Sequence, residues 1–170
     1  RSRLSSPTIN SAFCESPYCL KPTGSIAYFF AASSYFSFIN GKANTGSMIN
    51  CGGNLTVDNC VFENNYATSS QGALVSKGMD LKVTNSVFKN NKASNQGPDI
   101  CFNNNKGNVY IDNSFFYNAT NTGYSCGASV YISNSKNAKI TGNTFKDIVG
   151  NYNDAALQIS SGNGQIMNNV

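Results

Sequence analysis

The chain is predicted to be all-β: a single-chain parallel β-helix of about six stacked coils, a fragment of a longer chain. Three features predict this. Copies recur about every 26 residues, each copy alternates apolar and polar residues, and Asn-rich turns punctuate the copies.

Four segments align in register. They run Leu55 to Phe62, Leu81 to Phe88, Val109 to Phe116 and Ala138 to Phe145. The successive Phe spacings are 26, 28 and 29, and an earlier copy at Phe38 lies 24 residues before Phe62. A later copy begins at Ile166. Within each copy a period of two marks a strand, with Leu55 and Val57 facing in and Thr56 and Asp58 facing out. After Phe62 and Phe88 comes an Asn-Asn turn and then Ala67 or Ala93. A second apolar stretch opens the next copy: Ala73-Leu74-Val75, Ile100-Cys101-Phe102, Val130-Tyr131-Ile132 and Leu157-Gln158-Ile159. Each repeat thus holds two or three short strands and no helix.

One such unit cannot bury its apolar face alone, whereas stacked units bury a continuous column. Leu55, Leu81, Val109 and Ala138 are expected to form one internal ladder, and Val57, Val83, Ile111 and Ile140 a second. Phe38, Phe62, Phe88, Phe116 and Phe145 are expected to stack as an internal aromatic ladder. Asn59, Asn85 and Asn113 are expected to pair their amides along the axis. Residues 1–24 read as an N-terminal extension or cap, and 25–170 as the repeats.

Composition narrows the function classes. The 170 residues are 40% hydrophobic and 12% charged, so a core is available and charge-rich disorder is excluded. The net charge of +4 comes from scattered lysines, and the aromatic residues have a core role, so no nucleic-acid partner is expected. No His is present, which removes Cys/His zinc sites, and no phosphate loop or EF-hand loop occurs. Neither a metal nor a cofactor is expected; Asn151 to Asp154 reads as an inter-coil turn. The apolar stretch Ile26 to Ile39 is broken by Ser33, Ser34 and Ser37, so membrane attachment would come only through parts outside this chain.

Six cysteines without metal spacing suit disulfides in a secreted chain. Cys101 and Cys126 lie 25 residues apart, close to one coil, and Cys14 and Cys19 can close a small loop. Cys51 and Cys60 would have to meet across one coil, which is disfavoured. Asn54-Leu55-Thr56 and Asn118-Ala119-Thr120 are N-glycosylation sequons. Both signals point to an extracellular or cell-surface location.

No catalytic constellation is visible, and the chain is not expected to be an enzyme. Asp58 and Asp112 share a repeat position two coils apart, with Thr84 between them, ~9.6 Å by strand spacing, within reach of an inverting glycosidase pair but without other support. Asp80, Asp99, Asp147 and Asp154 fall in turns and are expected to be solvated. Lys82 and Lys139 flank Tyr110 on an outward column, a stripe suited to acidic glycans.

Phe62-Glu63-Asn64-Asn65 and Phe88-Lys89-Asn90-Asn91 carry a Phe-x-x-Asn motif. Phe115-Phe116-Tyr117-Asn118 carries it one residue out of register, and Phe145-Lys146-Asp147-Ile148 lacks it. Degraded Gly-Gly-Ala-like motifs stand at Gln71 to Leu74, Gly97 to Ile100, Cys126 to Ser129 and Asp154 to Leu157. On these motifs residues 38 to 160 resemble the polymorphic outer-membrane protein repeats of bacterial and protist surface proteins. The resemblance implies a right-handed β-helix at the cell surface with an adhesive role. The expected function is a non-catalytic, adhesin-like scaffold touching protein or glycan on a cell surface through its lateral faces. Two alternatives are a polysaccharide-active, pectin-lyase-like enzyme fragment and a structural component packed against neighbouring copies in an assembly.

Overall fold

The computed structural model describes residues 8–9, 36–104, 106–123, 127, 129–151 and 155–170. Every strand pair among them is parallel, and no helix occurs among them. The strands form four sheets, met in turn as the chain winds. The first holds Thr8–Ile9, Phe36–Ile39, Cys60–Glu63, Val87–Lys89, Phe115–Tyr117 and Thr144–Lys146. The second holds the two-residue strands Lys42–Ala43, Tyr66–Ala67, Lys92–Ala93 and Thr120–Asn121. The third holds Ile49–Cys51, Leu74–Ser76, Ile100–Asn103, Val130–Ser133 and Leu157–Ile159. The fourth holds Leu55–Asp58, Leu81–Thr84, Asn108–Asp112, Asn137–Thr141 and Asn163–Met167.

The molecule is therefore a parallel β-solenoid of about five coils. The copy expected to begin at Ile166 is no further coil: Ile166 lies in Asn163–Met167, the last strand of the fifth coil. Thr8–Ile9 extends the first sheet beside Ser37 and Phe38.

The first four coils have four strands each rather than two or three, and the last has three, with an isolated bridge at Val149 in place of the fourth. The eight-residue segment Leu55 to Phe62, expected to run straight, bends at Asn59. Asn59, Asn85, Asn113 and Asn168 have φ of 52°, 50°, 46° and 54°, and Gly142 stands in the same row at 63°. A left-handed residue turns the chain sharply without spending a loop, and Asn tolerates that conformation better than other L residues because its short amide bonds locally. The corner after the first sheet repeats the device with Asn40, Asn64, Asn90, Asn118 and Asp147, at φ of 60°, 55°, 57°, 52° and 54°.

The core follows the predicted register. Leu55 pairs with Leu81, Leu81 with Val109 and Val109 with Ala138; Val57, Val83, Ile111 and Ile140 align likewise. Phe38, Phe62, Phe88, Phe116 and Phe145 form one ladder, with ring centroids 4.6, 4.6, 5.1 and 4.7 Å apart and planes within 14°. The rings sit closer to face-to-face than aromatic pairs prefer, because each is held by a backbone repeat near the ~4.8 Å strand spacing. Phe62, Phe88 and Phe116 are fully buried.

Many polar residues inside the solenoid are paired along the axis, whereas the buried hydroxyls of Ser47, Ser76 and Ser135 have no hydrogen-bond partner. At the corner after the first sheet, Asn65 Nδ2 donates to Phe38 O and to Asn91 Oδ1, both at 3.0 Å. Asn91 Nδ2 donates to Phe62 O at 3.0 Å and to Asp99 Oδ1 at 2.8 Å. At the corner before that sheet, the Cys60 and Ser86 amides donate to Ser86 Oγ and Ser114 Oγ, and Ser114 N donates to Asn143 Oδ1. Such stacked partners satisfy groups that burial would otherwise leave unpaired.

Candidate functional site

The outer face of the fourth sheet carries three columns along the axis. The leading column holds Asn54, Asp80, Asn108 and Asn137. Asp80 N donates to Asn54 Oδ1 at 3.0 Å, Asn108 Nδ2 to Asp80 Oδ1 at 3.0 Å, and Asn137 Nδ2 to Asn108 Oδ1 at 2.9 Å. The central column holds Thr56, Lys82, Tyr110, Lys139 and Gln165 in direct register. The trailing column holds Asp58, Thr84, Asp112 and Thr141. Thr84 Oγ1 donates to Asp58 Oδ1 at 2.6 Å and Thr141 Oγ1 to Asp112 Oδ1 at 2.5 Å. A shallow groove of ≈ 330 Å³ opens among Asn54, Thr56, Asp80, Lys82, Asn108 and Tyr110.

Lys82 Nζ lies 6.0 Å and Lys139 Nζ 5.9 Å from the Tyr110 ring centroid, one from each neighbouring coil. Both ring faces are thus occupied by ammonium groups, and Tyr110 presents its edge and hydroxyl to solvent. Desolvation, together with a hydrogen bond to Asp112 and that carboxylate's charge, pushes the phenol above the ordinary tyrosine range. It is a hydroxyl donor at neutral pH. The predicted Lys–Tyr stripe is present, but carboxylates flank it on both sides: Asp80 in the leading column, Asp58 and Asp112 in the trailing one.

Hydrogen bonding from Thr84 foremost, helped by Asn85 and Asn59, holds Asp58 below its usual range despite partial desolvation. An inverting glycosidase pair needs one carboxylic acid and one carboxylate. Asp58 is ionised at neutral pH and offers only the base.

The sequence placed Asn59, Asn85 and Asn113 in an amide ladder. Asn113 Nδ2 does donate to Asn85 Oδ1 at 2.8 Å, but Asn85 and Asn59 both turn their Nδ2 to Asp58. Their shared role is the left-handed corner. Of the sequons, Asn118 is exposed, donating Nδ2 to Asn90 Oδ1 at 2.9 Å, and Asn54 is half-buried.

Cys51, Cys60 and Cys101 are buried free thiols. Cys14, Cys19 and Cys126 lie outside the described residues, as does Asp154. Burial pushes the Cys60 thiol up to about 11 and that of Cys101 to about 12.

Asp99 is not solvated, as expected of a turn carboxylate, but completely buried. It sits at the bend before Ile100, where the chain turns inward to start the third sheet. Its carboxylate accepts from Asn91 Nδ2 at 2.8 Å and Ser129 Oγ at 2.7 Å. Burial outweighs both bonds and raises it to about 7. Sequence reasoning also passed over two further Tyr–Lys columns, around Tyr66 and Tyr117, although the repeat alignment already set Tyr66 beside Lys92 and Tyr117 beside Lys89 and Lys146.

No family model, curated protein or solved structure matches this chain. The geometry alone defines the class: a parallel β-solenoid whose repeating residues build core and corners and whose outward residues align in columns along the axis.

Proposed function

We propose that this chain is a non-catalytic scaffold at the cell surface or secreted, adhesin-like, that holds glycan or protein partners against its lateral faces. The outer face of the fourth sheet is the foremost contact. One observation carries the reading: the amide, carboxylate and hydroxyl groups of that face are tied into axial hydrogen-bonded columns around Tyr110, with a groove among them. Groups already fixed lose little freedom when a partner docks, so the face is preorganised for a hydroxyl-rich ligand.

A glycan array probed beside a cell-binding assay tests this. The wild-type chain is expected to retain a defined set of glycans or bind cells, and Tyr110→Ala to weaken that about tenfold or more. Retention unchanged in Tyr110→Ala, or no retention by any surface, overturns the reading. Release of new reducing ends from a polysaccharide replaces it with the enzymatic alternative.

A further inference from the structure

We infer that the corner between the first and second sheets is a binding ridge for an extended anionic polysaccharide. This rests on the reading of the lateral faces as binding surfaces and names a second face with its ligand class.

Two outward columns flank that corner. On the second sheet, Lys42, Tyr66 and Lys92 stand in register, with Lys42 Nζ 5.9 Å and Lys92 Nζ 5.2 Å from the Tyr66 ring centroid. On the first sheet, Glu63, Lys89, Tyr117 and Lys146 stand in register, with Lys146 Nζ 5.9 Å from the Tyr117 centroid. Between them runs the exposed amide row Asn64, Asn90 and Asn118, ended by Asp147.

Charge distinguishes this ridge from the fourth sheet. Lys42, Lys89, Lys92 and Lys146 stand against Glu63, which pairs with Lys89 at 3.0 Å, and Asp147, leaving a net charge of +2. The row separating the two lysine columns is neutral amide except at its last position. On the fourth sheet an anion over Lys82 and Lys139 would meet Asp80 on one side and Asp58 and Asp112 on the other. The ridge therefore attracts a polyanion where the fourth sheet repels one.

Spacing points to a linear chain. The cations fall on alternate coils: Lys42, then Lys89 with Lys92, then Lys146. Two coils advance ~9.6 Å at the strand spacing, the order of one disaccharide in an extended polysaccharide. A chain lying along the axis with one charge per disaccharide would set an anionic group at each cationic step.

Tyr66 selects sugar over nucleic acid. Base binding on this kind of surface uses open aromatic faces. Both faces of Tyr66 are covered by lysines, so its edge and hydroxyl remain, which suit hydroxyl-rich ligands. Leaning on the rings also restrains Lys42, Lys92 and Lys146 before any ligand arrives, which lowers the ordering cost of binding.

Titration calorimetry with heparin as the polyanion and dextran as the neutral control tests the ridge. Binding of heparin, weakening with salt, and none of dextran are expected. Lys42→Gln/Lys92→Gln/Lys146→Gln is expected to weaken heparin about tenfold or more. Lys77→Gln/Lys106→Gln/Lys136→Gln removes the same charge at exposed positions between the third and fourth sheets, and is expected to change it less than about twofold. Tyr66→Ala/Tyr117→Ala is expected to weaken heparin while leaving binding of a polyglutamate or single-stranded DNA of equal charge unchanged. Equal losses in both lysine triples would reduce the effect to net charge and overturn the ridge, as would an unaffected ridge triple. Polyglutamate or DNA binding as tightly as heparin, with no tyrosine dependence, overturns the ligand class. If the ridge fails while Tyr110→Ala still loses its glycans, the broader lateral-face reading stands; if Tyr110→Ala is also silent, both fall.

Discussion

Asp99 gives the sharpest test of the interior. Its carboxyl is fully buried, accepts two hydrogen bonds from neutral donors, and is raised to about 7 from the ordinary 3.8. Because the folded value lies above the unfolded one, the unfolded chain releases its proton first as pH rises. Between about pH 4 and pH 7 the native state binds more protons than the unfolded state, so stability falls with rising pH. The full effect, about three pKa units at ~1.4 kcal/mol each, is about 4 kcal/mol above pH 7 and nothing below pH 4.

Asp99→Asn removes the titration and keeps the shape. Its carbonyl can still accept from Asn91, and its amide can donate to the Ser129 hydroxyl, which rotates to accept. The variant is expected to match wild type near pH 4 and to be about 4 kcal/mol more stable near pH 8, a midpoint shift of about 1–2 M urea. Far-UV circular dichroism followed through urea unfolding at several pH values reads this out; the chain has no Trp to use instead. Asp58 does not confuse the window. Its depressed value contributes stability that is lost only as pH falls below the usual carboxylate range. A wild-type midpoint that stays flat from pH 4 to pH 8, or an Asp99→Asn that destabilises equally at every pH, would refute the reasoning.

Three further outcomes follow from the same structure. Phe88→Ala, which removes a ring stacked at 4.6 Å on Phe62 and 5.1 Å on Phe116, is expected to cost about 3–5 kcal/mol in urea unfolding; a cost under about 1 kcal/mol would contradict a continuous ladder. Asn85 has φ of 50° at an exposed corner, so Asn85→Ala is expected to cost about 1–2 kcal/mol and Asn85→Gly much less, since Gly142 fills the same row; equal costs would mean the conformation is not what selects Asn. Cys60 and Cys101 are buried thiols held protonated at neutral pH, so peptides bearing them are expected to escape labelling by a thiol reagent until urea is added; labelling in the folded state, or recovery of Cys101 joined to Cys126, would contradict their burial as free thiols.

The core was legible because stacking imposes the same demand on every coil. Phe62, Phe88 and Phe116 must meet the same neighbours, so the register of the first sheet could be read from spacing alone. The corners were legible only in part. Asn64 and Asn65 are the same residue type side by side, yet one bends the chain at φ 55° in solvent and the other is buried with its amide bonded along the axis. Composition marks both as turn residues, and only the left-handed bend decides which points inward. The outward Lys82, Tyr110 and Lys139 column was legible from the alignment, but those around Tyr66 and Tyr117 were passed over, since no packing demand selects Tyr66 or Lys92 and their alignment acquires meaning only when the coils are seen to stack.

The buried Asp99 and the misregistered Phe115-Phe116-Tyr117-Asn118 motif are consequences of one fact. In the amide column Asn65 donates to a backbone carbonyl of the coil before and to the amide oxygen of Asn91 in the coil after. The next member of that column is residue 119, three beyond Phe116. Because the motif is shifted, its Asn falls at 118, at the left-handed corner, and Ala119 takes the buried position. Asn91 is left with a second N–H and no amide oxygen above it. A buried donor without a partner costs about 1–3 kcal/mol, and Asp99 supplies the acceptor from the following corner, with Ser129 bonding its other oxygen. The acid is thus explained as the terminus of an amide ladder, and its raised pKa follows from ending that ladder with a titratable group in a place water does not reach.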